Sequence, residues 1–187
     1  MTARFDIIET PLQGLKIIQR KPLGDSRGYL ERLFCQADCA DLLNGKTISQ
    51  INHTLTSTTG TIRGMHFQLP PFSETKFVQC LKGDVYDVAV DVRADSPTFL
   101  RWYAEILSAA NHKTFLIPEG FAHGFQTLTE DCEMLYFHTS PFNSNADAAL
   151  NALDPMLAIQ WPLPVTEQST RDKEHSMITS DFQGVTV

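Results

Sequence analysis

Apolar and polar residues alternate with a period of two, rather than 3.6, through the middle of the chain. The segment 76–92, KFVQCLKGDVYDVAVDV, predicts two strands joined by a turn at Lys82-Gly83-Asp84. Further short strands are predicted on either side of Gly60 in QINHTLTSTTGTIRGMHF and at Thr114–Ile117, His123–Leu128 and Glu133–Thr139.

Helical periodicity is sparse. The segment Cys35–Asn44, CQADCADLLN, predicts one short helix that ends before Gly45, and a second is predicted at Asp147–Leu153. Many short strands with Gly and Pro turns predict a mainly β protein, a jelly-roll β-barrel with a few short helices. A small barrel of this kind can hold one ligand in its mouth.

Length and composition indicate an ordinary globular protein, in which residues 1–187 form a single domain. No apolar run is long enough to span a bilayer, and Asp6 and Glu9 stand where a signal peptide would be apolar. We therefore expect a cytoplasmic protein with no membrane partner. The net charge of −7 disfavours nucleic acid as a partner, although a few inward Arg and Lys side chains can still hold a phosphate.

The cysteines are scattered at positions 35, 39, 80 and 132, without a CxxC pair. A structural zinc site is therefore disfavoured, and reduced thiols, buried or half-buried, are expected instead.

Half of a metal-binding jelly-roll pattern is present. PEGFAH, which ends at His123, fits a PxGxxH element, but the expected HxH element reads His66-Phe67-Gln68 and is followed by Glu74. A neutral amide is a poor substitute for an imidazole ligand, and Lys76 would repel a divalent cation. The sequence therefore predicts no metal and no other cofactor.

The same residues suit acid–base chemistry without a metal. His66 and Lys76 lie one short loop apart, His123 stands beside a glycine, and Tyr136 lies on the next predicted strand. An imidazole, an amine and a phenol on the walls of one barrel form a plausible proton-transfer set.

With these motifs in view, the sequence resembles the dTDP-4-dehydrorhamnose 3,5-epimerases, nucleotide-sugar epimerases of the cupin superfamily, from about residue 25 to residue 172. The resemblance depends on ordered motifs: DSRG, QINHT, TIRGMHFQLPP, KFVQCLKGDVYDVAVDVRADSPTF, IPEGFAHGFQTL, EMLYFHTS, LDPMLAIQWP and STRD. It implies a cupin-type jelly roll and inversion of C3, C5 or both in a nucleotide-linked 4-keto-6-deoxyhexose.

The resemblance implies catalytic roles for four residues. His66 would remove a proton from a carbon next to the 4-keto group, and Asp172 would orient the His66 ring. Lys76 would stabilise the enolate, and Tyr136 would return a proton from the opposite face. Without the resemblance, Asp172 would be interpreted as a solvated surface acid.

The resemblance also implies a set of substrate contacts. His123 would line the sugar pocket, and Glu31 or its neighbour Arg32 would contact the nucleotide. The diphosphate and nucleoside would be held by Arg27, Gln50, Asn52 and Arg63. The family is usually a homodimer with strands exchanged between subunits, so the resemblance implies a homodimer here too.

Other functions remain open at this point. Phe142 stands where many relatives have a tyrosine, so the enzyme could invert C3 only or C5 only. A 3,4-ketoisomerase acting on another nucleotide sugar would use similar walls and yield a 3-keto product. A metal-dependent cupin oxygenase and a non-catalytic sugar-nucleotide binding module are the remaining alternatives.

Overall fold

The computed structural model describes residues 4–187 and consists mainly of antiparallel β-strands. The strands are Phe5–Glu9 (β1), Lys16–Arg20 (β2), Leu23–Asp25 (β3), Gly28–Leu30 (β4), Gln50–Thr56 (β5), Ile62–Gln68 (β6), Lys76–Lys82 (β7), Asp84–Asp91 (β8), Trp102–Ser108 (β9), Lys113–Ile117 (β10), Phe121–Thr127 (β11), Cys132–His138 (β12) and Asp147–Ala149 (β13). Two short helices are Ala40–Leu43 (α1) and Thr170–Glu174 (α2).

The strands form two main sheets that enclose a shared core. One sheet has the order β1-β2-β10-β7-β12-β5 and the other the order β13-β6-β11-β8-β9. Apolar side chains from both sheets pack into one cluster, for example Val78 and Phe115 from the first sheet with Phe125 from the second. The predicted jelly roll is therefore confirmed, and its two layers can place side chains on opposite sides of a ligand.

The strand predictions in the centre of the chain are confirmed with small shifts at the ends. The turn predicted at Lys82-Gly83-Asp84 joins β7 to β8, and the strands predicted beside Gly60 are β5 and β6. Burial mostly alternates along β12, as a period of two predicts, whereas β8 and β11 are buried on both faces over most of their length and are marked instead by the turns that bound them.

Both helix predictions need correction. The first helix covers only Ala40–Leu43, because Cys39 provides no side-chain cap and the residues before it form turns. The segment predicted as a helix at Asp147–Leu153 begins with β13 instead. The open edge of β6 pairs with this segment, so that Ala149 lies opposite His66. Tertiary pairing thus overrides the helix propensity of an Ala-rich run.

The four thiols are free, as the sequence predicts, and all but the half-buried Cys35 are buried. Within residues 4–187, no helix has the length and apolar content that a membrane span requires.

Candidate active site

A cavity of about 240 Å³ lies between the two sheets. The five-stranded sheet contributes His66 from β6 and His123 from β11, and the six-stranded sheet contributes Lys76 from β7 and Tyr136 from β12. The complete lining is Asn52, Thr54, Arg63, His66, Phe67, Gln68, Glu74, Lys76, His123, Phe125, Tyr136, His138, Phe142, Asp147 and Arg171. Four of the lining residues are thus groups predicted for proton transfer or sugar contact.

Two strands approach closely beside the histidines. His66 and His123 are partners in the β6–β11 pairing, and Gly64 lies against Gly124. A Cβ atom on Gly64, which has a φ of +126°, would lie only 2.4 Å from the Gly124 Cα. Glycine is therefore required at position 64 for the strand geometry that brings both imidazoles to one wall.

The His66 imidazole forms a hydrogen bond with an acid that is distant in the sequence. Its Nε2 lies 2.8 Å from Oδ1 of the buried Asp172. Burial alone would raise the pKa of Asp172, but the interactions with His66 and Gly64 help to outweigh it and keep that pKa below its ordinary value. The ionised carboxylate thus accepts the Nε2 proton, which leaves the Nδ1 lone pair available as a base.

Helix α2 holds Asp172 in position. Ser169 caps the helix, because its hydroxyl accepts a hydrogen bond from the Asp172 backbone N–H at 3.0 Å. The Gly64 N–H lies 3.4 Å from Oδ2 of the same carboxylate. The sequence prediction missed this helix, although a Ser-x-x-Asp spacing is a helix-start signal that could have revealed it.

Lys76 is fixed at the start of β7 by two contacts. Its ammonium donates to the His66 carbonyl oxygen at 3.2 Å and lies 3.2 Å from Oε1 of Glu74. The other Glu74 oxygen lies 2.7 Å from Nδ1 of His138. Burial would raise the pKa of Glu74, but Lys76 and His138 outweigh that effect and lower it. The cavity wall therefore holds a fixed ammonium paired with an ionised carboxylate.

Tyr136 lies on the sheet opposite His66 and is only 9% exposed. Its ring meets His123 edge-on at a centroid distance of 6.1 Å and stacks on His138. Burial raises the pKa of Tyr136 above its ordinary value of about 10, so the phenol stays protonated at neutral pH. This placement suits a proton donor.

His123 has an acid partner of its own. Its Nε2 lies 2.8 Å from Oδ1 of Asp87, which is completely buried. Burial raises the pKa of Asp87, although His123 and Lys76 oppose the shift. The sequence interpretation did not single out Asp87, whose alternating position in β8 is indistinguishable from that of an ordinary strand residue.

Two guanidinium groups, those of Arg63 and Arg171, line the cavity. Arg63, which was predicted, donates to the Thr56 hydroxyl at 3.2 Å. Arg171 was missed, although it stands next to Asp172 in the STRD motif; it pairs with Asp147 at 2.6 Å. Paired guanidinium groups suit the recognition of phosphate oxygens.

The structure does not bring every predicted contact to the cavity. Gln50 lies beside it, bonded to Asn52 and to the Phe142 backbone N–H. Arg27 pairs with Asp25 on the β3–β4 hairpin, and Glu31 accepts from Arg20. Within one chain, neither Arg27 nor Glu31 lines the cavity, so their binding roles stay predictions.

Gln68 occupies the position of the second imidazole in the cupin pattern. Its amide donates to the backbone oxygen of Phe72 and accepts from the Asn143 N–H. Glu74 and His123 are engaged by the partners described above and do not join His66 in a close cluster of donor atoms among residues 4–187. The side chains in this part of the cavity are thus arranged for hydrogen bonding rather than as a cupin-type metal cage.

Comparison with known protein families gives a match over nearly the whole chain. The family described as dTDP-4-dehydrorhamnose 3,5-epimerase matches residues 9–180. A protein of that name from Sinorhizobium fredii is 40% identical over 152 residues, which are 81% of this chain and 78% of the relative.

Solved structures agree with the sequence comparison. The dTDP-6-deoxy-D-glucose-3,5-epimerase of Legionella pneumophila, in complex with dTDP-4-keto-L-rhamnose, superposes with a TM-score of 0.90 at 35% identity and 98% coverage of both chains. The dTDP-4-dehydrorhamnose 3,5-epimerase of Bacillus anthracis, with TDP and PPi bound, gives a TM-score of 0.87 at 36% identity, covering 93% of this chain and 99% of the other.

Proposed function

The chain belongs to the dTDP-4-dehydrorhamnose 3,5-epimerase family, and we propose that it inverts C3 and C5 of dTDP-4-dehydro-6-deoxyglucose in deoxysugar biosynthesis. The enzyme is an isomerase that acts on a nucleotide-linked 4-ketosugar. The observation that carries this proposal is the placement of a base, His66, and a protonated acid, Tyr136, on opposite sheets of one cavity. The whole chain, residues 1–187, would act as one cytoplasmic domain.

Proton removal would begin at Nδ1 of His66. A 4-keto group acidifies the C–H bonds on both flanking carbons, and neutral imidazole is a suitable base near pH 7. The Asp172 carboxylate, 2.8 Å from Nε2, would stabilise the imidazolium that forms. The pair would thus hold the abstracted proton while the sugar becomes an enolate.

Lys76 would stabilise the negative charge that develops on the 4-keto oxygen. Its ammonium is fixed by Glu74 and the His66 carbonyl before substrate arrives, so little reorganisation accompanies the reaction. Preorganised charge of this kind is usually the largest catalytic contribution.

Tyr136 would complete the inversion. It would give its proton to the enolate carbon from the face opposite His66, so the carbon would leave with the reverse configuration. The proton gained by His66 and the one lost by Tyr136 balance, and exchange with water would restore both groups. His123, held by Asp87, would support the sugar beside Tyr136.

The nucleotide would extend from the sugar toward the basic side of the cavity. Arg63 and Arg171 would hold the diphosphate, and Asn52 with its neighbour Gln50 would contact the nucleoside. None of these proposed steps calls for a cofactor.

Single-centre epimerisation is the second candidate function, because the Phe142 side chain reaches the cavity without a hydroxyl group. Incubation with a panel of nucleotide 4-keto-6-deoxysugars, followed by NMR of the products, separates the possibilities. Inversion at both carbons of the dTDP substrate supports the main proposal, and inversion at one carbon supports the second. A 3-keto product, or no product from any member of the panel, would overturn both.

We propose further that the enzyme is a homodimer in which the β3–β4 hairpin reaches the partner's cavity. Among residues 4–187 of one chain this hairpin forms strand pairs only with itself, and it exposes 87% of the Arg27 side chain and 74% of Leu30. Such exposure of apolar and cationic side chains fits a surface that is covered in an assembly.

Subunit mixing tests this arrangement. We expect light scattering to give about twice the chain mass of 21.0 kDa. If each site takes His66 from one chain and Arg27 from the other, dimers mixed from the inactive variants Arg27→Ala and His66→Asn would regain activity in one of their two sites. Mixtures no more active than either variant alone would contradict the exchange, and a monomeric mass would contradict the dimer.

A further inference from the structure

A second imidazole lies behind the proposed dyad and has no assigned role. His175 follows helix α2 directly, and its Nε2 is buried without a hydrogen-bond partner in the part of the chain that the structure describes. That nitrogen lies 4.0 Å from Oδ1 of Asp172, which is too far for a direct hydrogen bond. A buried polar atom without a partner is costly, so this site is suited to an occupant that can bind it.

The surrounding atoms form a set of donors with the spacing of a metal site. Donor atoms of His66, Asp172 and His175 all lie within 4.8 Å of one another. Zinc binds imidazole nitrogen and carboxylate oxygen at about 2.0–2.2 Å, so its ligands lie roughly 3.3 Å apart in a tetrahedron. The two distances to Asp172 Oδ1, 2.8 Å from His66 and 4.0 Å from His175, bracket this value. Side-chain shifts below about 1 Å would therefore bring these donor atoms to the ligand spacing of a zinc ion.

An ion can reach these atoms from solvent. A second cavity, of about 580 Å³, is lined in part by His66 and Asp172. The His175 side chain is 22% exposed, although its Nε2 atom is buried, so a small movement of the ring would open that nitrogen to an ion. Water would complete the coordination, as it does at zinc sites with three protein ligands.

We propose that His66, Asp172 and His175 bind a divalent transition-metal ion of the zinc class, and that the bound ion inhibits the enzyme. The sites that the family comparison implies concern the nucleotide sugar, and they leave His175 without a function. Two imidazoles and one carboxylate form a ligand set that favours zinc over magnesium or calcium.

The inhibition follows from the tautomer of His66. In the metal-free dyad the proton of the neutral ring is on Nε2, and the Nδ1 lone pair serves as the base. A metal ion bonded to Nε2 displaces that proton, and the neutral ring then carries its proton on Nδ1. The base nitrogen is thus blocked by a proton, although the ion itself lies outside the sugar cavity.

This mechanism predicts an unusual kinetic pattern. Substrate can still enter the cavity, because Arg63, Lys76 and Tyr136 remain free to contact it. Zinc should therefore lower kcat and leave KM nearly unchanged, which differs from a metal ion that sequesters the diphosphate. The loss of activity rests on the proposed function, whereas binding of the ion does not.

Binding and activity are measured together on the full-length enzyme and on His175→Asn. Calorimetry with ZnCl₂, without substrate, is expected to show one site in the parent enzyme and affinity reduced roughly 100-fold in the variant, since ligand loss should cost at least as much as loss of a supporting group. Epimerisation assays are expected to show inhibition that EDTA reverses, with His175→Asn active and resistant. His53→Asn, which removes an exposed imidazole paired with Glu133, is the matched control and should remain sensitive.

Each contrary result is decisive. Equal zinc affinity in the parent enzyme and His175→Asn would overturn the site, as would the absence of any binding up to millimolar zinc. Binding that depends on His175 but raises KM instead of lowering kcat would overturn the tautomer mechanism. If neither enzyme epimerises any substrate, the proposed function fails, while calorimetry still decides the metal site. Thermal unfolding of His175→Asn confirms that the variant is folded.

Discussion

Replacement of His66 by Asn is expected to lower the epimerisation rate by about 1,000-fold or more, the range expected for loss of a general base. Asparagine can preserve a hydrogen bond to the Asp172 carboxylate, which lies 2.8 Å from the imidazole in the parent enzyme. It cannot accept a proton from carbon. Stopped assays of product formation, with the thermal unfolding midpoint measured in parallel, separate lost chemistry from lost structure.

The same variant provides a strict control. Because Lys76, Tyr136 and the two arginines are untouched, affinity for the nucleotide diphosphate alone should stay within a few-fold of the parent value. A variant that keeps more than a tenth of the parent rate would show that His66 is not the base. A variant that also loses nucleotide affinity would indicate a distorted cavity and leave the base unassigned.

Replacement of Tyr136 by Phe is expected to separate removal of the substrate proton from inversion of the carbon, which the parent enzyme couples. Phenylalanine keeps the apolar surface against His123 and His138 but removes the proton donor. Inversion should fall by about 100- to 1,000-fold, the usual cost of losing a general acid. Removal of the substrate proton by His66 should decline much less, because the enolate can still be reprotonated on its original face.

The ratio of exchange to inversion is the diagnostic quantity. In deuterated water, recovered substrate from the Tyr136→Phe reaction should carry label without a change of configuration. If exchange and inversion fall by the same factor, Tyr136 is not the acid that completes inversion. The Tyr86→Phe variant, which removes a phenol that packs against Trp161 outside the cavity lining, is the matched control and should keep exchange and inversion coupled.

The sequence predicted the strands well because burial in the core requires apolar residues along each strand, and that pattern is visible in the sequence. Val88–Val92 reads as a buried strand and lies mostly within β8, where Ala89 packs between the sheets and the three valines pack on the other face against later segments that include Leu150 and Leu157. The local sequence pattern gave the wrong secondary structure where strand pairing with a distant segment decided it. Asp147–Ala149 has helix propensity, but it lies against the free edge of β6 and pairs there.

The residues of the site could be predicted only where they lie in the ordered sequence motifs. His66, Lys76 and Tyr136 were found and do line one cavity, whereas Asp172 depended entirely on the family resemblance because 106 residues separate it from His66. Contacts such as Glu74 with His138 join segments that share no local pattern. His175 is a similar case, since its unpartnered nitrogen is visible only after folding.

The central claim is that His66 and Tyr136 exchange protons with the sugar carbons from opposite faces through an enolate. Its most direct test is the reaction of the parent enzyme with dTDP-4-dehydro-6-deoxyglucose in deuterated water, followed by NMR and mass spectrometry of the product. The predicted product is dTDP-4-dehydrorhamnose with solvent deuterium at both C3 and C5. An inverted product without solvent deuterium at the inverted carbon would contradict the account.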